Sequence, residues 1–209
     1  MDTKLSRRKA EILSHLSREM HGVVTDYVGY KGEPYKINLG VALHTIRSIA
    51  QSQERDSELA KILYQESARE LKLAALWLAG SDEVSGEELD FWAEGLINTE
   101  ICDEAAFALL RYVEGSEQLL YHPSEMVQYC ALVTMSYLPG ELIAEHLDRI
   151  VEVAAADSHH IAHGVVITLE QAARQRELLD QIKMAIEQIK PLPRGEYISE
   201  ELEWRIFEE

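Results

Sequence analysis

Three groups of residues have the types and spacing that chemistry needs. The segment Asp157-Ser158-His159-His160-Ile161-Ala162-His163 is the one metal-like cluster. On a helix, His159 and His163 stand four apart on one face, as two zinc ligands do. No HExxH pattern, paired cysteines or third ligand accompany them, so the sequence predicts a polar helix start and no metal. Glu87, Asp90 and Glu94 also share a helical face. Paired carboxylates can act as acid and base, but such a run is more often a solvated stripe. Tyr27, Tyr30 and Tyr35 alternate with Lys31 and Lys36 in a stretch broken by Gly22, Gly29, Gly32 and Pro34. Only there do aromatic and basic residues interleave. The chain has no phosphate-binding glycine loop, dinucleotide glycine pattern or serine elbow. Nucleotide-dependent enzymes and common hydrolases are therefore unsupported, and no cofactor is expected.

The elements that would position these residues read as helices. Apolar residues recur at three- and four-residue spacing over 4–20, 40–52, 56–65, 68–79, 86–97, 99–113, 124–137, 141–155, 158–175 and 177–189. Ser67 with Glu70, and Ser85 with Glu88, have capping-box spacing. His122-Pro123-Ser124 and Pro139-Gly140 mark breaks. No segment alternates as a strand would. Helix pairs start near 86, 124 and 158, a period of roughly 35–40 residues that matches two-helix solenoid repeats. The expected fold is an all-α, HEAT-like helical-repeat α-solenoid, a right-handed superhelix, in a single domain over 1–209. Pro191 and Pro193 set off a tail over 191–209, in which Tyr197, Ile198, Leu202, Trp204, Ile206 and Phe207 stand among acids. That tail reads as a capping helix or as a docking segment for a partner. Trp77 and the two cysteines, Cys102 and Cys130, read as core. The N-terminus lacks the apolar run of a signal peptide, and no stretch is long enough for a membrane span. A cytoplasmic protein without membrane contact is the expectation.

Charge constrains the partner. The chain carries 37 acidic and 20 basic residues, a formal net charge of −17. Residues 1–80 hold 12 basic and 10 acidic side chains, whereas residues 81–150 hold 2 basic and 15 acidic. Phosphate neutralisation supplies much of nucleic-acid affinity. A phosphate-contacting surface must therefore come mostly from the first third, while the middle third suits a basic partner.

Several words in order carry a resemblance. Gly40-Val41 precedes Arg47, Ile49 and Ala50; Arg69-Glu70 leads into Leu73, Ala74, Ala75 and Leu78; Trp92 is followed by Ile97-Asn98 and then Cys102-Asp103. Over about residues 35–140 this resembles the HEAT-like alkylpurine DNA glycosylases, the DNA alkylation repair family. The resemblance implies a concave helical surface that grips duplex DNA by its backbone and excises cationic methylated purines. A carboxylate beside the deoxyribose would stabilise the oxocarbenium-like transition state, and Asp103 is the residue it points to. Trp92 would wall the cleft or pack beneath it. Lys36, Arg47, Arg69, Lys72 and Arg111 would contact phosphates or pair with neighbouring acids. Asn98 and Thr99 stand where the family places a tryptophan, and residues 124–138 contain no Arg or Lys where it brings an arginine. A second reading therefore stays open: an acidic helical-repeat scaffold that kept the fold, lost the chemistry and binds a basic protein.

Overall fold

The computed structural model describes residues 3–20, 35–80 and 84–207. The chain divides into two compact units, residues 1–113 and 114–209. Among the described residues there is no strand, only an isolated bridge between Ile37 and Ala68.

Unit 1 begins with α1 (Thr3–Arg18), whose Leu5, Ile12 and Leu16 are buried. It packs on α2 (Leu43–Gln51) and α3 (Ser57–Tyr64). Each fully buried side chain of this kind contributes roughly 1.5–3 kcal/mol. Arg8 of α1 pairs with Asp56, and Asp56 also caps α3 by accepting the Leu59 N–H at 2.9 Å. Then come α4 (Arg69–Leu78), α5 (Leu89–Ala93) and α6 (Thr99–Ala108), with α4 packed against α2, α3 and α6. The expected helix over 86–97 is shorter: a 3₁₀ turn (Gly86–Glu88) leads into α5. The helix expected over 99–113 breaks at Leu109 into α6 and a 3₁₀ turn (Leu110–Tyr112).

Neither expected capping box forms. Ala68 and Ser85 occupy positions without a side-chain cap bond. Glu70 instead accepts the Leu39 N–H at 3.0 Å and the Val41 N–H at 3.3 Å, and Glu88 pairs with Lys61. Gly40 makes the first arrangement possible. Its φ of 73° lies in the left-handed region, and this aims the flanking amides at one carboxylate.

Unit 2 contains a 3₁₀ segment (Ser116–Tyr121), α7 (Glu125–Met135), α8 (Gly140–Glu145), α9 (Leu147–Val153), α10 (His159–Ala173), α11 (Leu179–Ile189) and α12 (Gly195–Phe207). The α7 and α10 helices pack closely because Gly164 has no side chain. A Cβ there would lie 2.9 Å from Leu132 Cβ. The Thr168 hydroxyl crosses the same seam to the Leu132 carbonyl at 2.7 Å. The tail is helical, with Ile198 and Leu202 buried where α12 meets α10 and α11, and Trp204 65% exposed. No helix among the described residues is long and apolar enough to cross a membrane.

Candidate nucleic-acid interface

Three elements of unit 1 build one cluster. Arg47 comes from α2, Trp77 from α4, and Glu104 and Phe107 from α6; Arg111 and Tyr112 follow on the 3₁₀ turn. The Glu104 side chain is 2% exposed. It accepts two hydrogen bonds from Arg47, from Nε at 2.8 Å and from Nη2 at 2.6 Å, and a third from Trp77 Nε1. The two-pronged geometry is the strong form of an arginine–carboxylate pair.

Aromatic faces cover the cations. The Arg47 guanidinium carbon lies 5.8 Å from the Trp77 ring centre and 5.7 Å from that of Phe107. The Arg111 carbon lies 4.3 Å from Phe107 and 4.6 Å from Tyr112. Arg111 also donates to the Tyr112 hydroxyl. The result is an aromatic–cation row: the Trp77 and Phe107 rings meet edge to face at 5.9 Å with Arg47 beside both, and Arg111 links Phe107 to a Tyr112 that is 57% exposed.

A second, buried network lies beside the 35–41 loop. Arg69 is 2% exposed and donates to Glu100 from Nε at 2.7 Å and from Nη2 at 2.5 Å. Its Nη1 donates to the Val41 carbonyl at 2.8 Å and to Glu70 at 3.1 Å. Burial opposes its charge, but the hydrogen bonds and charges of Glu100 and Glu70 outweigh burial and hold its pKa above the usual value. The Tyr35 hydroxyl donates to Asn98 Oδ1 at 3.3 Å. Burial first, and then the Glu100 charge, push the Tyr35 pKa well above the ordinary tyrosine value.

The expected phosphate contacts thus separate. Lys36 is exposed. Arg47 and Arg111 sit in the aromatic row. Lys72 donates to the Tyr64 carbonyl at 2.6 Å and lies 5.1 Å from the Tyr64 ring centre. Burial lowers its pKa, against the pull of Glu66. Arg69 is enclosed, so its charge serves the acids around it. Asp103 is exposed on α6, one residue before buried Glu104 and four before Phe107. Trp92, expected as a cleft wall or packing residue, is 1% exposed and packs 4.7 Å from Tyr64 and 5.3 Å from Phe91, between ring centres. Its indole N–H finds no acceptor among the described residues. Tyr27, Tyr30 and Lys31 lie outside the described residues.

Among the described residues no group of His, Cys, Asp or Glu side chains is arranged to hold a metal. His159, His160 and His163 are exposed, with His159 beside Tyr197 and His160 beside Tyr129. Glu87, Asp90 and Glu94 are all exposed. Cys102 and Cys130 are buried, and neither is in a disulfide.

No family model matches the chain, and no curated protein matches it. One solved structure does, described as "a new family of proteins related to the HEAT-like repeat DNA glycosylases with affinity for branched DNA structures". The TM-score is 0.73 at 16% sequence identity, over 99% of this chain and 96% of the other. The fold is the HEAT-like helical repeat. At this identity the likeness concerns the path of the backbone, since most side chains differ. Within the HEAT-like frame, the aromatic–cation row draws on every second helix of unit 1, α2, α4 and α6. Phe107 and Tyr112 are its members that the sequence reading passed over. The i, i+4 spacing of Phe107 and Arg111 in the expected helix was the signal available for Phe107.

Proposed function

We propose that this chain binds DNA through unit 1 and does not excise bases. The observation that carries the reading is the aromatic–cation row from Trp77 to Tyr112, set in a fold whose solved neighbour is described as having affinity for branched DNA. Unit 1 is also the better balanced half, with 13 basic and 19 acidic residues against 7 and 18 in unit 2. Base excision needs a negative charge held in a dry site beside the sugar. Of the two neighbouring carboxylates on α6, Asp103 faces water, and Glu104 is buried but already neutralised by Arg47. On this reading neither is assigned that role.

The test is fluorescence anisotropy with a labelled duplex and a labelled three-way junction, beside a purine-release assay on methylated duplex. The reading expects salt-dependent binding without release. Release at the rate of an active glycosylase, or no binding to either DNA, would overturn it.

One feature favours a second reading, capture of a basic protein. Unit 2 has a groove of mixed polarity, about 220 Å³, between α9 and α11, with Leu147, Val151 and Met184 beside Glu145 and Asp148. Met184 is 66% exposed there. A basic amphipathic helix complements that pattern, and loss of such binding in Met184→Glu would mark the groove as its seat.

A further inference from the structure

Tyr112 ends the aromatic row, and its surroundings suggest what the row is for. The ring is 57% exposed and carries one guanidinium, that of Arg111, which also lies on Phe107. One side of the ring carries the Arg111 guanidinium, with a hydrogen bond from Arg111 Nη2 to the Tyr112 hydroxyl. Arg111 in turn rests on Phe107, and Phe107 lies against Arg47, which buried Glu104 fixes with two hydrogen bonds. The ring is therefore held in place before any ligand arrives, which lowers the ordering cost of binding.

We infer that the exposed face of Tyr112 is a stacking platform for an unpaired nucleobase. This rests on the DNA-binding reading and narrows it to a substrate class. Every base has a π-face, and aromatic side chains backed by arginine are the general means of binding unstacked strands. In an intact duplex both faces of each internal base are covered by neighbours, so the platform has nothing to take. At a branch point, bulge or end, a base is free to stack. The cation behind the ring withdraws electron density and favours an electron-rich purine on the open side.

The experiment uses the full chain and two versions of a three-way DNA junction. One carries 2-aminopurine at an unpaired branch position, the other inside a paired arm. With wild-type protein, branch-position fluorescence falls at least about twofold on binding, because stacking quenches it, and the arm probe does not change. Tyr112→Phe keeps the quench. Tyr112→Ala removes it and weakens junction binding about tenfold, more than it weakens duplex binding. Tyr112 is exposed, and circular dichroism checks that the variant is folded. Wild-type binding without any quench, or a Tyr112→Ala variant that matches wild type on the junction, overturns the platform and leaves DNA binding standing. Wild-type protein that binds neither junction nor duplex overturns both.

Discussion

Arg47 and Glu104 lie 57 residues apart in sequence and meet in a two-pronged ion pair whose carboxylate is almost fully buried. A buried carboxylate is costly unless its charge is matched. Arg47 and the Trp77 indole N–H supply the match. The pair therefore clamps α2 and α4 to α6 and fixes the aromatic row at the same time.

Arg47→Ala leaves that carboxylate without its cation. The expected loss is about 3 kcal/mol, the low end for a broken buried pair, because the Arg47 side chain is 38% exposed. Glu104→Gln made in the Arg47→Ala background should recover part of the loss, since a neutral amide tolerates burial better than an unmatched charge. Urea unfolding of the four proteins in this cycle measures the coupling. A coupling near zero would mean the pair contributes nothing to stability.

Asp103→Asn should leave purine release unchanged at background. A charge about 4 Å from the reacting sugar in a water-filled setting is worth about 1 kcal/mol, roughly fivefold in rate, far below what a glycosylase needs. Wild-type and variant protein are compared on methylated duplex by chromatography of released bases. A wild-type rate hundreds of times that of the variant would show that DNA binding excludes water from Asp103 and restores its catalytic role.

Tyr35 should titrate late. Its folded-state pKa lies above the ordinary value near 10, mainly through burial and then through the negative Glu100. The native state therefore holds this proton more tightly than the unfolded chain does. The resulting stability is fully present below about pH 10 and is lost as pH rises above that value, where the unfolded chain releases the proton first. Ultraviolet titration of phenolate should show the same absorbance change between pH 9 and 11 in wild type and Tyr35→Phe. A difference of one tyrosine in that window would contradict the burial of this hydroxyl.

The helices were legible because their apolar spacing is local. α4 was expected over 68–79 and runs Arg69–Leu78, and α10 was expected over 158–175 and runs His159–Ala173. The capping boxes misled because Glu70 has two possible partners. Propensity offers the helix N-terminus, but the left-handed Gly40 brings two amides to the carboxylate, which the adjacent Arg69 also meets. Of the site, Arg47 was legible as a cation and Asp103 as an acid on α6. That Glu104 and not its neighbour is buried depends on where α2 and α4 lie, and no local pattern encodes that. Arg69 shows the same limit: nothing in its sequence neighbours says that Glu100, one repeat later, encloses it.

Lys36 and Arg69 separate phosphate contact from scaffolding in one experiment. Each phosphate neutralised adds about −0.9 to the slope of log affinity against log salt on duplex DNA. With many cations of unit 1 tied to acids, the slope should be shallow, corresponding to roughly three contacts, and affinity should fall about 40-fold between 50 and 200 mM salt. Lys36 is exposed on the balanced unit, so Lys36→Gln should reduce the slope by about one contact and leave the unfolding midpoint unchanged. Arg69→Gln should do the reverse. It strips the cation from Glu100 and Glu70, costs about 3–5 kcal/mol as buried pairs do, and leaves the slope of any protein still folded as it was. Anisotropy over a salt series, paired with urea unfolding, reads both quantities. A slope change in Arg69→Gln with unaltered stability would mean that Arg69 leaves its acids to meet a phosphate when DNA binds.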